Sequence, residues 1–328
     1  MSDSASASPS AGAGAGSAGG PLHYVLMGTV ARRFYLEGVS KVDIAKDLGL
    51  SRFKVARLLD EALRTGLVRI EISPTGDLDL DLSTRLAQQL GLHECLVVET
   101  GTDSLGDARR RLAASAAAYV SEVVVPGDVL GMTWAREVYA MVGQLTSLPP
   151  VEVVQLCGTA VLPDDDASPV ESVVQAARLA GTKGHVFYAP LIVDDEEAAR
   201  AVLRQKSVAQ ALEQAQRVTR GVVGIGFWGQ HTSTIFDAVS PKARAQVQAS
   251  GAIGEVCGVF FDAAGTIVRP ELARRVVNVG EEALLAIPHT CGIVLGAAKA
   301  PAVRAAVAAG IVDSLVIDSA LARVLLDG

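Results

Sequence analysis

Apolar and polar positions alternate at helical spacing from Tyr24 to Glu37, and Gly38 ends that run. Ser40 stands where a hydroxyl caps a second helix, whose apolar face is Ile44, Ala45 and Leu48. Gly49 supplies a tight turn. Ser51 caps a third helix with Val55, Leu58, Leu59 and Ala62 on one face, and Gly66 stops it. Helix, short turn, helix is the geometry of a helix-turn-helix, and the small Ala45 with the turn at Gly49 lets its two helices cross closely. Leu67 to Ile72 alternates like a strand, one arm of a wing.

Beyond a polar stretch containing Asp77, Asp79 and Asp81 the rhythm changes to short apolar strands alternating with longer helices. The strands are predicted at Glu94–Val98, Val129–Met132, Val151–Leu156, Val222–Phe227, Val256–Phe261, Ile293–Leu295 and Leu315–Ile317. Helices are predicted at Asp107–Glu122, Trp134–Leu145, Ser168–Ala180, Pro301–Ala309 and Ser319–Leu326. This alternation predicts a Rossmann-like α/β domain, a mainly parallel sheet covered by helices with ligands at the carboxyl ends of the strands. The organisation is then a tail over 1–20, a winged helix-turn-helix over 21–72, a linker over 73–82 and the α/β domain over 83–328.

The 328 residues are 50% hydrophobic and 20% charged, which excludes disordered, collagenous and disulfide-framework chains. Charge is unevenly placed. Ala31 to Ile70 holds nine cations against five anions, a local +4 on a chain of net −7, so the remainder carries −11. A basic module on an acidic body suggests phosphate contact by the module. Arg52 and Lys54 fall in the first turn of the third helix, where the positive end of the helix dipole disfavours a cation by about 0.3–1 kcal/mol. Cations placed against that cost are easier to explain as groups that face DNA. Lys41, Ser51, Arg52, Phe53, Lys54 and Arg57 are the DNA-facing candidates.

Other chemistry is excluded by pattern. Cys95, Cys157, Cys257 and Cys291 lie 62, 100 and 34 positions apart, without a CxxC pair, and read as buried thiols of a reducing cytoplasm. No apolar run spans a membrane, and the first 20 residues, 18 of them Ser, Ala, Gly or Pro, lack the apolar core of a secretory signal. The five histidines form no spaced cluster, and no nucleophile elbow is present. Asp164, Asp165 and Asp166 beside Pro163 read as a solvated loop, so neither metal nor cofactor is expected. Gly224, Gly226 and Gly229 satisfy GxGxxG, but no acidic strand end follows at the required distance, so they read as a glycine-lined strand end at a ligand crevice.

Two long segments, SRFKVARLLDEALRTGLVRIEI (Ser51 to Ile72) and GIVLGAAKAPAVRAAVAAGIVDSLVIDSALA (Gly292 to Ala322), resemble the SorC family of sugar-responsive bacterial transcription regulators. LGMTWARE, GIG and GEVCGVFFDAAG fall between them in the same order. The resemblance implies a helix-turn-helix joined to a sugar-phosphate-isomerase-type domain. It also implies dimers or tetramers on double-stranded operator DNA and control by a sugar, sugar alcohol or sugar phosphate.

It further implies that Lys299 lies against an effector phosphate, with Glu171 and Asp262 as candidates for sugar hydroxyls. Gly131, Met132 and Thr133, and likewise Gly158 and Thr159, lie where a strand passes into a loop and can offer N–H groups or hydroxyls to an effector. Ala135 and Glu137 stand where the family often has Gly and Thr, and Cys157 where some members have arginine, which disfavours a bisphosphate. The competing reading is a sugar-phosphate isomerase or lyase that uses Lys299.

Overall fold

The computed structural model describes residues 20–70, 77–101, 103–159 and 168–327. The tail up to Gly19, Glu71 and Ile72 of the expected wing strand, and the Asp164–Asp166 cluster lie outside the described residues. The chain forms two compact units that divide between Ser73 and Pro74.

The first unit holds α1 (Pro21–Tyr35), α2 (Lys41–Asp47) and α3 (Arg52–Arg64). Both expected caps form: the Asp43 N–H donates to Ser40 Oγ at 3.2 Å and the Lys54 N–H to Ser51 Oγ at 3.1 Å. Between α2 and α3 the chain reverses at Gly49 with φ +63°, a left-handed conformation that favours glycine. Met27, Val30, Ile44, Val55, Leu58 and Leu59 bury the shared face. Leu67–Ile70, expected to begin a wing strand, form no strand.

The second unit opens with α4 (Leu80–Leu90), β1 (Glu94–Val98), α5 (Leu105–Val123), β2 (Val129–Met132), α6 (Arg136–Gln144), β3 (Glu152–Gln155) and α7 (Pro169–Ala180). It continues through β4 (Gly184–His185), α8 (Glu196–Leu203), α9 (Lys206–Ala215), β5 (Arg220–Val223), β6 (Gly226–Phe227), α10 (Thr234–Ala238) and α11 (Pro241–Ala249). The final part is β7 (Gly254–Val256), β8 (Val259–Phe261), β9 (Ile267–Val268), α12 (Glu281–Leu285), β10 (His289–Val294), α13 (Ala300–Ala308), β11 (Ser314–Asp318) and α14 (Ser319–Asp327). Part of the expected linker belongs here, since Leu78 bridges to Val98 and α4 starts at Leu80 with Asp79 as its cap.

Seven strands in the order β1-β11-β10-β5-β2-β3-β4 make an all-parallel sheet. Neighbouring residues of one strand feed opposite faces: Val97, Ile317 and Val294 join one core, and Val98, Val316 and Ile293 the other. Burial on both faces explains why these strands read as continuous apolar runs.

Two predicted strands are each two. Val222–Phe227 is β5 of the large sheet followed, after Gly224 and Ile225, by β6 of a separate antiparallel sheet, β6-β7-β8-β9. Val256–Phe261 is a hairpin that turns at Cys257 and Gly258, with φ +56° and +80°, and pairs Val256 with Val259.

Candidate functional site

In the first unit, Arg52, Phe53 and Arg57 are exposed along α3 and Lys54 is half-buried. No acidic residue occupies the first turn of α3, and among the described residues none of Arg52, Lys54 and Arg57 forms an ion pair. Phe53 stands 80% exposed between the two cations, a position with no packing explanation. Ser51 is occupied as the cap, and the Lys41 ammonium lies 5.2 Å from the centre of the Phe34 ring. By contrast Arg33 is bound to Asp47 at 2.7 Å and Arg32 to Glu37 at 3.5 Å. Among the described residues the second helix of the helix-turn-helix thus presents Arg52, Lys54 and Arg57 without acidic partners, and Lys41 and Lys46 of α2 likewise form no ion pair.

In the second unit a cavity of about 110 Å³ opens at the carboxyl ends of the parallel strands. The loop after β2 gives Trp134 and Ala135, the end of β3 gives Cys157, the β5–β6 crossing gives Gly224, Ile225 and Gly226, and the segment after β10 gives Leu295 and Lys299. Arg109 of α5, Glu137 of α6 and Glu255 of β7 complete its charged lining with Arg136 and Lys299. This is the position the parallel topology reserves for ligands.

Glu255 is a buried carboxyl in a short apolar strand. Its Oε1 accepts from the Ser233 hydroxyl at 3.0 Å and its Oε2 from the Gly258 N–H at 3.1 Å. Burial pushes its pKa above the usual carboxylate range, against these two hydrogen bonds and the Lys299 charge, which favour the ionised form. Gly226 is paired with Glu255 in register, and a Cβ there would overlap Glu255 Oε1 and lie 3.0 Å from Cδ. The carboxylate thus occupies the space that this glycine leaves open.

Lys299 closes a short 3-10 turn that follows Gly296. The buried Asp318, at the end of β11, accepts from the Gly296 N–H at 2.7 Å and from the Leu321 N–H at 3.2 Å, so one carboxylate fixes both the lysine loop and the start of α14. Also on the cavity lining, Arg109 Nη2 lies 3.7 Å from Glu137, while the buried Arg109 Nε has no hydrogen-bond partner among the described residues. That N–H is a donor in need of an acceptor.

Of the residues expected to contact an effector, Lys299 lines this cavity, and the other seven do not. Gly131 and Met132 lie inside β2 and pack in the core, because the strand runs to Met132 before the loop begins. Thr133 positions a wall instead: its Oγ1 accepts from the Gly224 N–H at 3.2 Å. Gly158 packs against the Pro190 carbonyl, and Thr159 lines a separate hollow beside Pro190 and Ile192. Glu171 is exposed in the first turn of α7. Asp262 closes a turn, with Oδ1 accepting from the Ala264 and Thr266 N–H groups at 2.9 Å each.

Arg109, Glu137 and Glu255 are cavity residues that the expected effector set omitted. Glu255 carried a legible signal, an acid within an otherwise apolar strand; Arg109 carried none beyond its place in an arginine run.

Among the described residues no helix is long and apolar enough to cross a membrane. Residues 77–327 match the family model of a sugar-binding domain, Sugar-bind. The transcriptional regulator LsrR of Enterobacter sp. (strain 638) is 28% identical over 305 residues, 92% of each chain. The deoxyribonucleoside regulator of Bacillus subtilis is 25% identical over 300 residues, 90% of this chain and 96% of that one. The full-length sorbitol operon regulator SorC of Klebsiella pneumoniae shares the fold, with a TM-score of 0.70 at 21% identity over 92% of this chain and 98% of that chain. A sugar-binding-domain match from Asp77 to the last helix, behind a three-helix unit with a helix-turn-helix, makes this chain a member of the SorC family.

Proposed function

We propose that the chain is a sequence-specific DNA-binding transcription regulator of a carbohydrate operon, controlled by a sugar, sugar alcohol or sugar phosphate bound beside Lys299. The observation that carries the reading is the division of charge between the units. Among the described residues Arg52, Lys54 and Arg57 stand without acidic partners on a recognition helix, while the acidic second unit encloses Arg109, Lys299 and Glu255 in one cavity. Cations at a helix N-terminus suit the major groove, where arginine reads guanine or holds phosphate. Lysine and the unsatisfied Arg109 N–H suit an anionic or hydroxyl oxygen, and Glu255 suits sugar hydroxyls. With Cys157 at the end of β3 rather than an arginine, the cavity fits one phosphate better than two.

The protein acts in the cytoplasm by binding rather than turnover, as a homodimer or homotetramer on a palindromic operator. The effector changes operator affinity by its differential affinity for the DNA-competent arrangement of subunits. The test is fluorescence anisotropy of duplex from the gene's own upstream region, at two salt concentrations, with and without a pool of sugars, polyols and their phosphates. Salt-sensitive binding that the pool alters is the expected result. Turnover of a sugar phosphate, abolished by Lys299→Ala, would overturn it in favour of an isomerase or lyase.

A further inference from the structure

The fold brings together two histidines that no sequence spacing links. His93 immediately precedes β1, Asp313 immediately precedes β11, and His289 opens β10, and these three strands are adjacent in the order β1-β11-β10. The three side chains therefore stand in a row at the amino ends of the sheet, away from the cavity at its carboxyl ends. Asp313 Oδ2 lies 3.3 Å from His289 Nδ1 and 3.8 Å from His93 Nδ1. One donor atom from each residue falls within 4.8 Å of the other two.

We propose that His93, His289 and Asp313 form a binding site for a divalent transition-metal ion of the zinc type. With metal–ligand distances of about 2.0–2.1 Å, the ligand atoms of a tetrahedral ion stand roughly 3.3 Å apart, so these separations need only small rotations of the side chains. Both imidazoles have room for that, being 63% and 47% exposed. The carboxylate is already aimed. Its Oδ1 accepts from the Thr290 N–H at 3.2 Å and the Ser314 hydroxyl at 3.0 Å, which leaves Oδ2 toward the two rings.

Main-chain bonds fix the frame as well: the His93 N–H donates to the Asp313 carbonyl at 2.8 Å, and the Asp313 N–H to the Thr290 carbonyl at 3.0 Å. A ligating carboxylate oriented by its own hydrogen bonds is the usual support of a metal site. Two imidazoles and one carboxylate suit zinc, iron or nickel, whereas magnesium and calcium prefer oxygen alone. The bound ion would tie β1, at the start of the unit, to the consecutive strands β10 and β11 near its end, and leave a coordination position open to water.

The experiment is calorimetric titration of chelator-treated full-length protein with Zn²⁺ alone. One saturable equivalent per chain is expected. His93→Ala and His289→Ala should each weaken it by about 10–100-fold, and the double variant should abolish it. Zinc should raise the thermal midpoint of the wild type and leave that of the double variant unmoved. Both rings are on the surface, and the paired glutamine variants serve if the alanine pair fails to fold by circular dichroism. Co²⁺ should give d–d bands without thiolate charge-transfer bands. Absence of saturable zinc binding, unchanged affinity in the double variant, or thiolate bands that place the ion on cysteine would each overturn the assignment. None of these readouts depends on the regulator reading.

Discussion

Gly226→Ala places a methyl group where the Glu255 carboxylate now lies. The backbone tolerates alanine there; the obstacle is the overlap with Oε1, the 3.0 Å approach to Cδ and the 3.1 Å approach to Ser233 Cβ. To relieve it the carboxylate must leave its place between the Ser233 hydroxyl and the Gly258 N–H, at 3.0 and 3.1 Å. Leaving a buried polar group without its hydrogen bond costs about 1–3 kcal/mol, so loss of both should destabilise the second unit by roughly 2–6 kcal/mol. Urea unfolding of wild type, Gly226→Ala, Glu255→Ala and the double variant measures this as a thermodynamic cycle. In the double variant the methyl group meets no carboxylate, so a coupling of at least about 2 kcal/mol is expected. A single variant within about 0.5 kcal/mol of wild type, or strictly additive costs, would refute the packing argument.

Arg52→Ala should weaken binding to the operator by roughly 1–3 kcal/mol and relax preference at one base pair, whereas Lys54→Ala should weaken all duplexes alike and lower the salt slope by about one; equal losses on operator and scrambled DNA would sink that division. Lys299→Ala should reduce effector affinity by about tenfold or more while the urea midpoint barely moves, and an unchanged effector response of DNA binding would remove Lys299 from the site. Asp128 gives an acid limb. Burial opposes its ionisation, yet the Val125 N–H, the Thr219 hydroxyl and Arg220 hold its pKa below the usual range. The unfolded chain therefore binds that proton first, so stability is present at neutral pH and falls as pH drops below about 4. Asp128→Asn should flatten part of that fall in the urea midpoint, and an unaltered acid limb would count against the carboxylate.

The helix-turn-helix was legible because each of its boundaries is local chemistry. Ser40 and Ser51 cap, Gly49 reverses the chain, and the apolar stripe of Val55, Leu58, Leu59 and Ala62 has one partner face. β2 was legible for a similar reason, as a fully buried run of four residues. The seam at Gly224 was not, because Val222 to Phe227 shows one apolar pattern while its two halves pair in different sheets. Gly131 and Met132, expected to face an effector, are the last two residues of the fully buried β2 and do not line the cavity. Arg109, Glu137 and Glu255 meet only through α5, α6 and β7, and no local rule foretells that meeting. The pairing of His93 with His289 is hidden for the same reason, since strand order alone makes them neighbours.

The small antiparallel sheet has strands of two, three, three and two residues. Ladders that short do not hold themselves together and depend on what they lean against, here α13, whose Ala302 Cβ would be met by a Cβ on Gly254 at 2.9 Å. One wall of the cavity therefore has less ladder of its own to hold it than the seven-stranded sheet, and relies on the burial of Phe260 and Phe261 against the core. A ligand seated between Lys299 and Glu255 bridges the two, so its arrival should slow amide hydrogen exchange across 254–268 more than in β2 or β11. On the proposed reading, the first trace of a bound effector would be a change in the local breathing of this wall.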